Sequence, residues 1–143
     1  MKIVDLNVLL YAVNRDDPHH EAALYWCSKN FNSSEIIGLA WITIIGFLRL
    51  STRKGVFANP LTPQQALDRM NQWLERPNTR IVMELQNHWS NIQECIREVG
   101  TAGNLTTDAH LAVLAISRGA TFVSCDTDFA RFRYLKWENP LTV

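Results

Sequence analysis

The chain is poor in every feature that would take it out of the ordinary globular class. Its three cysteines, Cys27, Cys95 and Cys125, are an odd number at wide spacing, with no C-x-x-C pair. That pattern fits neither a disulfide framework nor a zinc site, and buried free thiols are expected. No charge sign dominates, since fourteen basic and fourteen acidic residues give a formal net charge of zero. The global field therefore steers no nucleic acid, and any such binding must rest on a local patch. Six glycines and five prolines, without repeats, exclude a collagen-like or low-complexity chain. No apolar run approaches the ~20 residues needed to cross a bilayer. Asp5 also falls where a signal peptide needs an unbroken apolar core. The expectation is a soluble, cytoplasmic protein with no membrane partner.

What is present suits one domain over residues 1–143. The composition is 47% hydrophobic, with five Trp, six Phe and three Tyr among 143 residues. Folding at this length buries roughly 68–70% of the unfolded surface, so no metal or disulfide staple is required. Short apolar runs alternate with helical periodicity. Ile3-Val4-Asp5-Leu6 reads as a buried strand, followed by a helical turn through Val8, Leu9, Leu10 and Tyr11. Asp17-Pro18 predicts a helix start, with Asp as cap and Pro at the first helical position. Ile36 to Leu39 is strand-like, and Trp41, Ile44, Ile45 and Leu48 form the next helical stripe. Thr62-Pro63-Gln64-Gln65 is a capping box. Thr79 to Met83, Ala120 to Ser124 and Tyr134 to Trp137 are further strands. Helices precede Gly100 and Gly119. This alternation predicts an α/β fold, a three-layer α/β/α sandwich around a mostly parallel sheet.

In such a sheet, ligands bind beyond the carboxyl ends of the strands. Four acids from three segments fall there: Asp5 near the end of the first strand, Asp108 in the first turn of an apolar helix, and Asp126 and Asp128 just after the Phe122-Val123-Ser124 strand. Each has a plain structural use alone, as a cap, a dipole partner or an Asx-turn. Together they repel unless a cation or protons hold them, so their convergence implies a divalent metal. An all-oxygen ligand set favours Mg²⁺ or Mn²⁺ over zinc. The histidines form no competing site: His19-His20 and His88 read as solvated caps, and His110 as a side chain on the helix flank.

Asp5-Leu6-Asn7, Asn104-Leu105-Thr106-Thr107-Asp108-Ala109-His110 and Ser124-Cys125-Asp126-Thr127-Asp128-Phe129 form an ordered set. The chain resembles the PIN-domain ribonucleases, most closely the VapC-type toxins of bacterial toxin–antitoxin pairs. The resemblance covers essentially the whole chain, including Pro18-His19-His20-Glu21, Gly46-Phe47-Leu48-Arg49 and Trp137-Glu138-Asn139-Pro140. It implies metal-dependent endonucleolytic cleavage of RNA. By position, Asp5, Asp108 and Asp126 are the metal ligands, and Asp128 is a further ligand or an acid behind them. Asn7, Thr107 and Ser124 hydrogen-bond carboxylates, water or phosphate. One departure is evident: many members carry Glu where this chain has Gly46, three residues before Arg49. The expectation is one firmly held metal, with a second recruited by substrate.

Arg49, the Arg53-Lys54 pair and the Arg131, Arg133, Lys136 cluster are candidates for the RNA backbone, and equally ordinary solvated charges. The resemblance further implies a homodimer and a small antitoxin protein as partners. Trp26, Trp41 and Trp73 offer apolar area for such interfaces or for the core. Two rival readings are distinguishable. An aspartyl phosphotransferase could use Asp5, but its second acid is Asn7 and no catalytic lysine follows. A catalytically weakened PIN-like module, binding RNA or a protein, is kept open by Gly46.

Overall fold

The computed structural model describes residues 1–142. Five short strands carry the apolar runs: β1 (Lys2–Val4), β2 (Ile37–Ala40), β3 (Thr79–Val82), β4 (Thr121–Val123) and β5 (Lys136–Glu138). Six helices lie between them: α1 (Leu6–Val13), α2 (His20–Asn30), α3 (Trp41–Ser51), α4 (Pro63–Leu74), α5 (His88–Val99) and α6 (Thr106–Ile116). The strands pair wholly in parallel, in the order β3-β2-β1-β4-β5. β2 and β3 thus lie on one side of β1, and β4 and β5 on the other. The order reverses between β1 and β4, which makes their carboxyl ends the topological switch point.

Strand alternation divides the interior into two layers of core. Val4 and Val123 join Ile37 and Leu39 against α1 to α4, in a cluster with Phe31, Phe47, Met70 and Trp73. Their neighbours Ile3 and Phe122 face the opposite layer, where α6 supplies Leu111 and Leu114 and α5 packs through Cys95, Ile96 and Val99. Successive side chains point to opposite faces, so each three-residue strand serves both cores. Phe122 packs against Phe129, whose ring lies 4.6 Å away and is tilted by 41°, and this anchors the turn that follows β4.

The helix signals are realised unevenly. The capping box holds: Thr62 Oγ1 accepts from the Gln65 amide at 3.1 Å, and Gln65 Oε1 accepts from the Thr62 amide at 2.9 Å. Gly100 closes α5 at φ +83°, a left-handed C-terminal cap. Asp17-Pro18 is different. The Asp17 carboxylate accepts from the His19 amide at 2.8 Å, an Asx-turn, and α2 begins only at His20 with no side-chain cap. β1 likewise ends at Val4, two residues earlier than the strand read over Ile3 to Leu6, because Asp5 caps α1. α3 buries Thr43, Ile44, Gly46 and Phe47 and leaves Trp41 49% and Ile45 59% exposed. Apolar residues surround that helix, so periodicity alone does not choose its inner face. Trp26 and Trp73 are core residues, and of the three cysteines only Cys27 is fully buried. No helix among the described residues is long and apolar enough to cross a membrane.

Thr62→Ala is expected to cost about 1 kcal/mol through loss of the Gln65 amide's acceptor. Urea unfolding should show a lower midpoint with an unchanged slope.

Candidate metal centre

Asp5 stands at the seam between β1 and β4. Its amide donates to the Val123 carbonyl at 2.8 Å, continuing the ladder one residue beyond the strand. Its side chain turns back to cap α1. Oδ1 accepts from the Leu6 amide at 2.7 Å, while Oδ2 accepts from Ser124 Oγ at 2.7 Å and Asn7 Nδ2 at 3.2 Å. Ser124 is fully buried, and its hydroxyl also accepts from Asn7 Nδ2 at 3.1 Å and from the Asp126 amide at 3.0 Å. Asn7 Oδ1 closes the network by accepting from the Cys125 amide at 3.1 Å. Donors from both strand ends therefore fix one carboxylate. Burial pushes Asp5 above the ordinary carboxylate range; the Ser124 and Leu6 bonds pull it back, and the Asp126 charge adds to the rise.

The other three acids gather beside it. One ligand oxygen from each of Asp108, Asp126 and Asp128 lies within 4.8 Å of the other two. Asp108 sits in the first turn of α6, where the helix dipole favours a negative charge. Asp126 caps the 3₁₀ turn Thr127–Arg131, and its Oδ1 accepts from the Asp128 amide at 2.9 Å. The Asx-turn therefore exists, and it is also what swings Asp128 toward the group. Asp108 is raised to about 6, by burial first and then by the charges of Asp126, Asp5 and Asp128. Among the described residues, no ion pair engages any of the four acids. A carboxylate group of this kind, half-open and without a balancing side-chain cation, fits a hard divalent ion bound through oxygen. The Cys125 thiol between Ser124 and Asp126 is pushed up to about 12, chiefly by burial and then by the charges of Asp5 and Asp17.

The remaining sequence-predicted residues are placed less closely. Thr107 is exposed at the start of α6, and no hydrogen bond ties its hydroxyl to an acid among the described residues. Arg49 is exposed in the last turn of α3. Arg131 is exposed at the end of the 3₁₀ turn that carries Asp128. Arg133 instead reaches Glu98 at 3.8 Å and lies over the Tyr134 ring. Lys136 begins β5, in register with Thr121 and Lys2, and so lies at the amino edge of the sheet, opposite the acids. His88 is not a solvated cap: its Nε2 lies 2.8 Å from Nδ1 of His110, on the flank of α6. His20 Nδ1 contacts the Tyr11 carbonyl at 2.9 Å.

Position 46 holds a feature the sequence does not announce. A Cβ there would come within 2.7 Å of Leu6 Cδ2. The side chain that follows Asp5 thus occupies the space beside Gly46, and α3 approaches α1 closely because residue 46 has no side chain. Thr43, one turn earlier, is buried with its hydroxyl unpartnered.

A family model described as PIN domain matches residues 2–134. The chain is 40% identical to Ribonuclease VapC37 of Mycobacterium tuberculosis over 140 residues, covering 98% of this chain and 97% of the relative. It is likewise 40% identical to Ribonuclease VapC33 of the same species over 141 residues, covering 99% of each. Among solved structures it resembles VapBC2 from Rickettsia felis bound to a promoter DNA fragment, with a TM-score of 0.67 at 20% identity, covering 96% of this chain and 97% of that one. At that identity the likeness concerns the fold.

Two outcomes follow from this geometry. Without metal, Asp108 binds its proton more tightly in the folded chain than in the unfolded one, whose value is the ordinary 3.8. The stability this contributes is fully present below about pH 4 and is lost as pH rises through about 6. In chelator, Asp108→Asn should therefore gain on the wild type between those values. The gain, discounted for solvent screening, is about 1 kcal/mol and is read from melts across the range. Gly46→Glu should cost about 1–3 kcal/mol from overpacking against Leu6. Leu6→Ala in the same chain should recover part of that loss, which a double-mutant cycle in urea measures.

Proposed function

This chain belongs to the VapC ribonucleases of the PIN-domain family, and from that membership we propose that it is a Mg²⁺- or Mn²⁺-dependent endoribonuclease acting as the toxin of a toxin–antitoxin pair. The observation that carries the reading is the convergence of Asp108, Asp126 and Asp128 within 4.8 Å at the sheet's switch point, beside the anchored Asp5. Asp5, Asp108 and Asp126 would hold the ion, with Asp128, whose carboxylate lies within 4.8 Å of those of Asp108 and Asp126, beside them. When bound, the cation acidifies a coordinated water and neutralises charge building on the phosphorane-like transition state.

The protein's own part is positioning. Ser124 and Asn7 hold the Asp5 carboxylate in one orientation, which removes the reorganisation a free side chain would need. A carboxylate of the cluster receives the proton of the attacking water. In-line attack leaves a 5′-phosphate and a 3′-hydroxyl. Arg49 and Arg131, exposed and without ion-pair partners among the described residues, supply charge for the RNA backbone. Residues 1–143 act as one cytoplasmic domain, silenced by a small antitoxin and paired as a homodimer.

Gly46 favours a second reading, a PIN-like module that binds RNA or protein with little turnover, since Leu6 fills the space an acid would need. Cleavage separates the two. Asp108→Asn keeps the shape and polarity of the side chain but not the charge. It should fold and lose at least about a hundredfold of the cleavage rate on a mixed RNA pool with Mn²⁺ or Mg²⁺. The same ions should raise the wild-type melting temperature and raise that of Asp5→Asn far less. Full cleavage by a folded, purified Asp108→Asn would sink the proposal, and an inactive wild type with intact metal binding would favour the module.

A further inference from the structure

A pair of histidines in contact lies outside the acidic group. His88 opens α5 and His110 lies in α6, two residues beyond Asp108. Their rings stand perpendicular, with centroids 4.9 Å apart, and His88 Nε2 faces His110 Nδ1 at 2.8 Å. On the far side of the second ring, His110 Nε2 lies 3.8 Å from Glu84 Oε1. The cluster is half-open: the His110 side chain is 22% exposed and that of Glu84 48%.

We propose that His88 and His110 form a binding site for a borderline transition-metal ion, Zn²⁺ or Ni²⁺, that fastens α5 to α6. The two imidazole nitrogens, 2.8 Å apart, share a single proton in the metal-free protein, and a metal ion takes that proton's place. At metal–nitrogen distances of about 2.0–2.1 Å, a tetrahedral ion needs the nitrogens about 3.3 Å apart. The rings need to part by only about half an ångström. His88 can yield, because it is the first residue of its helix and α5 has no fully buried residue. Glu84 supplies the outer carboxylate that commonly orients a ligating imidazole through its other nitrogen. Water completes the coordination at the open side. Ligand chemistry separates the two sites in one direction: imidazole takes Zn²⁺ or Ni²⁺ and not Mg²⁺, so excess Mg²⁺ occupies the carboxylates alone.

The site is independent of RNA cleavage, so stability and crystallography test it. With Mg²⁺ in excess to occupy the acidic group, Ni²⁺ should raise the melting temperature of the wild type and of Asp126→Asn alike. His88→Gln and His110→Gln should each weaken Ni²⁺ binding at least tenfold by calorimetry, and the double variant no further. Crystals of the unaltered protein soaked in Zn²⁺ should show an anomalous peak within about 2.2 Å of both ring nitrogens. Unchanged Ni²⁺ affinity in His88→Gln, loss of the stabilisation in Asp126→Asn, or anomalous density confined to the carboxylates would each overturn the assignment.

Discussion

The Asp5 carboxylate, held between two parallel strand ends, is the constraint on which the rest of the site depends. Four carboxylates at one sheet edge repel one another, and the fold must supply something against that repulsion before any ion is present. It does so through Ser124 and Asn7, which come from opposite sides of the seam and both donate to Asp5 Oδ2. Charge-assisted bonds of this kind are among the stronger ones a protein makes. The Ser124 hydroxyl also accepts from the Asp126 amide, so the bond that holds Asp5 sets the course of the turn carrying Asp126 and Asp128. One buried hydroxyl thereby links three of the four acids.

That network works only because strand order brings the two ends together. β1 and β4 are neighbours although more than a hundred residues separate them, and their register aligns Val4 with Val123. A chain leaving each strand at that level meets the other's first polar residue. The two layers of core hold the register: Ile3 and Phe122 sit in one layer, Val4 and Val123 in the other. A slip by one residue would exchange the layers and place Phe122 where valine packs. Core packing and site geometry are in this sense one constraint.

The parts legible in the sequence were those governed by topology. Acids placed just after strands converge whatever the details of packing, so Asp5, Asp108, Asp126 and Asp128 could be named before any coordinate. The capping box at Thr62 was legible because it is local chemistry. Other features depend on which neighbour wins. Asp17 resembled a helix cap until its carboxylate was taken by the His19 amide. The α3 stripe misled because that helix is apolar nearly all round, and tertiary packing turned Trp41 outward. Lys136 stood close to Arg131 and Arg133 in sequence, yet β5 carries it to the opposite edge of the sheet. The His88–His110 contact joins residues twenty-two apart on two helices, and no spacing rule signals it.

Gly46 shows how one small residue reshapes a shared design. Glycine in the middle of a helix costs about 0.5–1 kcal/mol relative to alanine, so its presence calls for a compensating gain. The gain is contact: without a Cβ at 46, α3 closes on α1 and Leu6 packs into the gap. Leu6 follows Asp5 directly, and its amide is the donor that fixes Asp5 Oδ1. Packing Leu6 against α3 therefore helps hold that amide in place. The close approach of α3 thus adds rigidity, not charge, to the carboxylate already present. Charge and rigidity act on different quantities, since an added acid strengthens attraction for a cation while a braced acid lowers the cost of organising around one. The acidic group is consequently asymmetric, with Asp5 buried and held on one side and Asp128 exposed on the other.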